Sequence, residues 1–346
     1  MIKNKVHFLG CPLDCDERYD SIKEKLLALS QDIIDDPYVY VTQCLEGDLK
    51  RIPHNLLGSI EVPDWLRPIP KSTDPAEITS QKYAYFIDSN NSLEYVDTVY
   101  KKVLHEILPD IPCLIAVDHS LSGGIIKAVA DYYGKDELTV IIFDSHCDVT
   151  PMSYLAKAIS YDMENNPNSP HDPDDHLLYN RPDSYNASSF LYYLLENQII
   201  NYNNTFIIGI SDYPNKNAFR IKDTRIKEYV SLYSSLKHKG VKFLTKKDCN
   251  LSPNKLHTLF KRIETPYIYI SFDMDVGSNN ACHGVRFNNY NGLSQKQLLK
   301  LASMMKNAIS PNKKLVGIDF TEYNPRKQDQ NVYDVSARII KSIVHN

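Results

Sequence analysis

The apolar run Leu138–Phe143 leads directly into Asp144-Ser145-His146-Cys147-Asp148. An uninterrupted β-branched and apolar stretch of that length reads as a buried strand. Potential metal ligands then stand at every second position. Alternation along an extended backbone predicts that Asp144, His146 and Asp148 share one side of the strand end. The same design recurs where Tyr267–Phe272 runs into Asp273-Met274-Asp275, and where Cys113–Val117 runs into Asp118-His119. With Asp118 set aside, these segments offer the imidazoles of His119 and His146 and the carboxylates of Asp144, Asp148, Asp273 and Asp275.

Strand-like runs are expected at Lys5–Leu9, Tyr38–Thr42, Lys82–Ile87, Cys113–Val117, Leu138–Phe143, Thr205–Ile210, Val241–Leu244, Tyr267–Phe272 and Lys314–Phe320. Helical patterns fill most gaps: Leu93–Ile107, Gly124–Tyr133, Ala187–Ile200, Asp223–Leu236, Ser294–Ile309 and Val332–Val344. Such alternation implies an α/β fold, a mostly parallel sheet of about eight strands covered on both faces. Sites in these sheets lie beyond the carboxyl ends of the strands, where all the candidate ligands fall. The expected organisation is one three-layer αβα domain over residues 1–346, with elaborated surface loops at 43–80 and 150–185. A short helix over Met152–Asp162 is expected inside the second loop.

Composition narrows the function classes. Hydrophobic residues make up 42% and charged residues 24%, ordinary values for a globular chain with a large core. The net charge of −4 gives no reason to expect a nucleic-acid partner. No stretch approaches the roughly 18 apolar residues of a membrane span. Residues Met1–Gly10 lack the basic-then-apolar order of a secretory signal, so a cytoplasmic protein is expected. The seven cysteines are scattered without a CxxC pair, which reads as reduced thiols and neither a disulfide framework nor a zinc knuckle. Cys147, between two candidate ligands, is expected to point away from them into the packing.

Four carboxylates with two imidazoles suit hard or borderline divalent ions, manganese above thiolate-seeking metals. Two such cations about 3.5–4 Å apart share bridging carboxylates and acidify the water between them. A single-zinc deacetylase-like site needs fewer ligands than this set provides. The His171-Asp172-Pro173-Asp174-Asp175-His176 run reads as a solvated acidic loop. The Asp14-Cys15-Asp16-Glu17-Arg18 run suits either the mouth of a site or helix capping.

Val117-Asp118-His119-Ser120, Asp144-Ser145-His146-Cys147-Asp148 and Ser271-Phe272-Asp273-Met274-Asp275 together resemble the metal motifs of the arginase/agmatinase ureohydrolases. Gly317-Ile318-Asp319-Phe320-Thr321-Glu322-Tyr323-Asn324-Pro325 is similar to the family's late strand, whose glutamate holds the substrate guanidinium. The resemblance implies two Mn2+ ions. One would be held by His119, Asp144, Asp148 and Asp273, the other by Asp144, His146, Asp273 and Asp275, with Asp144 and Asp273 bridging. It further implies that Asp148 orients the attacking hydroxide, that Glu322 binds the guanidinium, and that urea is released.

Departures from the family pattern bear on the substrate. The family's proton-shuttling histidine corresponds to Asn186; an amide is no general acid, and Asn186 is expected with Glu322 and Asp212 among the substrate-binding residues. His283 is expected to replace it, ahead of His171 and His176. No Ser/Thr/Asn cluster for an α-carboxylate follows Asp148, while Asp212 matches the acid that meets the α-amino group. The chain is similar in this respect to the divergent peptide arginases, which convert arginine side chains of ribosomal peptides to ornithine. The expected partner is therefore an arginine-containing peptide, or else a small guanidino substrate such as agmatine. Without the shuttle histidine, a non-catalytic metal- and peptide-binding relative is the remaining alternative. A homo-oligomer is left open.

Overall fold

The computed structural model describes residues 4–169, 171, 181–251, 253–288, 290–309 and 312–344. Its centre is one eight-stranded sheet in which every pairing is parallel, in the order β2-β1-β3-β8-β7-β4-β5-β6. In chain order the strands are β1 (Val6–Cys11), β2 (His54–Ser59), β3 (Ile111–Ala116), β4 (Leu138–Phe143), β5 (Thr205–Ile210), β6 (Lys242–Thr245), β7 (Tyr267–Asp273) and β8 (Lys314–Thr321).

Alternation within the strands builds two cores. On one face Ile141 and Phe143 of β4 pack with Ile268, Ile270 and Phe272 of β7, under the helices Pro37–Leu49, Pro253–Lys261, Gln295–Ala308 and Gln330–Val344. On the other, Leu138, Val140 and Ile142 pack with Tyr269, under helices that include Ser92–Lys102, Ser122–Tyr133, Phe190–Glu196 and Thr224–Lys239. Strands buried on both faces are what a parallel sheet between helical layers requires. Among the described residues no helix is long and apolar enough to cross a membrane.

Two expected strands are helices. Tyr38–Thr42 lies in Pro37–Leu49, where Asp36 accepts from the Tyr38 N–H, Pro37 opens the first turn, and Tyr38, Val41, Leu45 and Leu49 form a buried stripe. Lys82–Ile87 lies in Ser80–Asp88, capped by Thr79, with Tyr83, Ala84, Phe86 and Ile87 buried. In both, cap and 3.6-residue stripe outweigh β-propensity. The 43–80 stretch is correspondingly no plain loop. It contains the end of the first of these helices, the edge strand β2 and the 3-10 turns Asp64–Leu66 and Pro75–Glu77. In the 150–185 stretch the helix runs over Met152–Asn165. His176 and the acidic run 172–175 lie outside the described residues, while His171 is half-buried.

Candidate metal centre

Adjacent strands deliver the candidate ligands to one point. Phe143 of β4 is in register with Phe272 of β7, and Phe272 with Phe320 of β8. Their rings stack at centroid distances of 4.5 and 5.3 Å. This aromatic layer fixes the heights at which Asp144, Asp273 and Glu322 leave the sheet. β3, on the other side of β8, delivers Asp118 and His119.

The chain does not stay extended beyond the strands, as simple alternation predicts. Each motif instead closes a tight turn through its first aspartate. Asp118 Oδ1 accepts from Ser120 N at 3.0 Å, Asp144 Oδ1 from His146 N at 2.6 Å, and Asp273 Oδ1 from Asp275 N at 2.8 Å. These are the side-chain-capped turns that Asp forms readily. Asp148 adopts φ +50° and Glu322 φ +65°. Left-handed backbone at non-glycine residues is uncommon and gathers at functional sites.

Two clusters result. His119, Asp144, Asp148 and Asp273 place ligand atoms within 4.8 Å of one another, and so do Asp144, His146 and Asp275. Asp144 belongs to both. Asp273 belongs to the first alone, which differs from the expected second set. His119 Nδ1 lies 2.7 Å from Asp148 Oδ2, 3.2 Å from Asp273 Oδ2 and 3.3 Å from Asp144 Oδ2. His146 Nδ1 lies 2.8 Å from Asp275 Oδ2.

The hydrogen-bond directions around His119 test whether cations fit. Ser271 Oγ donates to Asp319 Oδ1 at 2.6 Å, and Tyr269 donates to the other oxygen of Asp319. A hydroxyl has one proton to give. Ser271 therefore accepts from His119 Nε2–H, 2.9 Å away. In the neutral ring Nδ1 then carries a lone pair aimed at carboxylate oxygens, a contact that a cation or a proton between them reconciles. Asp144 Oδ2 and Asp275 Oδ2 are buried and receive no hydrogen bond. Burial, followed by the charge of Asp144, pushes Asp148 up to about 7, and Asp273 is raised well above the carboxylate range for the same reasons. A hard-donor site for two divalent ions fits these residues.

An orienting partner of a ligating histidine is typically worth about 10–100-fold in metal affinity. Ser271→Ala should weaken loading of the metal that His119 would hold by a factor in that range while the fold persists. Titration of the metal-free variant against a competing chelator measures this, and unchanged affinity would remove Ser271–Asp319 from the assignment.

Beside the clusters, Glu322 is buried at 1% exposure. Its Oε1 accepts from His119 N at 3.1 Å and from Arg286 Nη1 at 3.2 Å, whereas Oε2 is buried without a partner. Burial raises its carboxyl to about 8 against the lowering influence of Arg286. Arg286 carries no expectation from the sequence, yet its side chain is only 4% exposed and also reaches Asp118 Oδ2 at 3.0 Å. The Asp14-Cys15-Asp16 run belongs to the same buried assembly. Asp14 pairs with Lys25 and Arg326, and Cys15 donates to Asp118 at 3.1 Å.

His283, the expected proton donor, is exposed, and its backbone N–H is bonded to Asp329 at 2.8 Å. The structure does not bring His283 among the buried ligand groups. The loop turns outward at His283, and three residues later Arg286 is the member that enters the site. Asn186 also departs from its expected part in substrate binding, since its side chain is spent on its own turn. Its amide donates to Ser184 and its carbonyl oxygen accepts from Ser188 N at 3.0 Å. Phe190, at the helix start beyond it, packs against the His119 ring at 4.8 Å. Asp212 stands beside the clusters, accepting from Cys147 N at 3.2 Å with its Oδ1 buried and unpartnered. Burial raises its carboxyl to about 6. Cys147 is fully buried in the core, on the face shared with β5.

A sequence model described as Arginase family matches residues 6–345. Among solved structures, the chain is similar to arginase from Bacillus subtilis, at 16% identity and TM-score 0.60, covering 99% of both chains. Formimidoylglutamase from Bacillus subtilis aligns at 18% identity and TM-score 0.59, over 99% of this chain and 87% of that one. The agmatine ureohydrolase of Thermoplasma volcanium aligns at 15% identity and TM-score 0.56, over 99% and 89%. At these identities the likeness establishes the fold. No curated protein matches in sequence.

Proposed function

The chain belongs to the arginase family, and from that premise we propose that it is a dimanganese hydrolase of guanidino groups, acting on arginine side chains within a peptide and releasing urea to leave ornithine. The observation that carries the guanidino reading is the unpartnered, buried Oε2 of Glu322 beside the clusters. A guanidinium stays protonated in proteins and settles in a dry site only against an anion.

Two manganese ions held by His119, Asp144, His146, Asp148, Asp273 and Asp275 would supply Lewis acidity, making water a nucleophile near neutral pH. The chain's own residues do the rest. Glu322 Oε2 accepts an N–H of the substrate and sets the guanidino carbon against the cluster. Asp148, held over the first cluster by its left-handed backbone, accepts the proton of the attacking oxygen. The aromatic layer of Phe143, Phe272 and Phe320 excludes water from beneath.

The peptide reading is supported by the hydroxyl groups of the stretch that follows Asp148. Thr150 bonds Tyr233 at 2.9 Å, Ser153 bonds Asp183 at 2.9 Å, and Ser189 donates to the Ser184 carbonyl at 2.7 Å. With the Asn186 amide also engaged, Ser153 and Ser189 have no proton left to donate to a free α-carboxylate. A substrate without one then fits better than free arginine. The manganese-loaded protein should release urea from arginine peptides blocked at both ends, with loss of CH2N2 per converted residue by mass spectrometry. Faster turnover of agmatine would replace the peptide reading by a small-molecule one. No urea from peptide, agmatine or free arginine would leave a non-catalytic binding protein.

A further inference from the structure

Every donor that meets Glu322 meets the same oxygen. The backbone N–H of His119 and Nη1 of Arg286 both point to Oε1, while Oε2 has no partner. A guanidinium serving only as counter-ion would be expected to fork across both carboxylate oxygens. Arg286 does otherwise. Its Nη1 divides between Glu322 Oε1, Asp118 Oδ2 and the Val117 carbonyl, and its Nε, 4.0 Å from Asp14 and 3.9 Å from Asp16, makes no hydrogen bond.

The backbone fixes this asymmetry. Arg286 N donates to the Glu322 carbonyl at 2.9 Å, Glu322 N donates to the Val117 carbonyl at 3.0 Å, and Val285 bridges Tyr323. Glu322 is thereby pinned on both sides while at φ +65°. With the backbone held and Oε1 anchored twice, the planar carboxylate can present Oε2 in one direction only.

We propose that Arg286 is a positioning residue for substrate binding. It acts as a built-in guanidinium that occupies Oε1 of Glu322 and leaves Oε2 as the one oxygen that takes the substrate's guanidino group. The inference rests on Glu322 being the guanidinium anchor. It implies that the substrate is gripped end-on by one oxygen, with Arg286 stacked into the same ion network behind it.

Orienting partners of functional groups are commonly worth about 10–100-fold. Arg286→Ala should therefore lower kcat/KM by a factor in that range, mostly through KM, with metal content equal to that of the unaltered protein. Ethylguanidinium, which replaces the atoms removed from Cγ outward, should restore the variant. It should compete with substrate in the unaltered protein, and ethylammonium should restore nothing. A merely structural role predicts no such reversal of sign. Unaltered kcat and KM in Arg286→Ala would overturn the proposal. If Arg286→Ala fails to fold, Arg286→Lys decides: a raised KM with metals bound supports the proposal, and an unaltered KM overturns it.

Calorimetric binding of agmatine separates this inference from the proposed function. A protein that binds agmatine but releases no urea from any substrate, with binding weakened in Arg286→Ala, loses the function and keeps the inference. Equal binding in both proteins, or none in the unaltered one, overturns the inference.

Discussion

Asp144→Asn should give a folded protein that cannot hold two metals and releases no urea. The two oxygens of Asp144 have separate tasks. Oδ1 closes the turn by accepting from His146 N at 2.6 Å, and Oδ2 is buried, unpartnered and 3.3 Å from His119 Nδ1. An asparagine whose carbonyl oxygen takes the Oδ1 position keeps the turn. Its NH2 group then replaces the only oxygen facing the cluster, and a donor does not ligate a cation. Because Asp144 is the residue common to both clusters, neither metal escapes the change. Asp273→Asn follows the same logic, with Oδ1 holding Asp275 N and Oδ2 facing His119. Metal content by atomic emission, a thermal melt and urea release measure the outcome together. Two metals per chain retained in Asp144→Asn would remove its bridging role.

The candidate metal residues are legible in the sequence because they are local. Each motif places its ligands within five residues of a strand end, so pattern and register determine where they meet. The aspartates were also legible in a way that alternation did not capture. Asp is the residue that caps turns, and Asp118, Asp144 and Asp273 each do so here. The helix Pro37–Leu49 was misread from its β-branched Val39-Tyr40-Val41-Thr42 run, although Asp36-Pro37 is a readable start signal. β2 was hidden among prolines, and its exposed Leu56 and Leu57 show no alternation because it is an edge strand.

Arg286 was not legible because its partners come from three places in the chain: Asp14 and Asp16 after β1, Asp118 after β3 and Glu322 after β8. The available signal was weak, an arginine between Val285 and Phe287 in a loop after a ligand strand. His283 drew attention in the same loop because histidine is the usual proton carrier. Burial distinguishes the two residues, and loop sequence carries no periodicity from which burial can be read.

Glu322→Gln should then cost about 10²–10⁴ in kcat/KM while both metals stay bound. Breaking a buried charge pair typically costs about 3–5 kcal/mol, which corresponds to that range of rates. The amide is nearly isosteric, so the effect is one of charge and donor direction. If its oxygen stays toward His119 N and Arg286, its NH2 group faces the substrate guanidinium, donor against donor. If it flips, the NH2 group meets the His119 N–H at 3.1 Å and the Arg286 Nη1 at 3.2 Å instead. Neither orientation satisfies both sides of the carboxylate it replaces. Glu322 is absent from both ligand clusters, so metal content should match that of the unaltered protein. Steady-state kinetics alongside metal analysis reads both. Loss of metal in Glu322→Gln would make this residue a ligand or a structural support, and undiminished turnover would move the guanidinium anchor elsewhere.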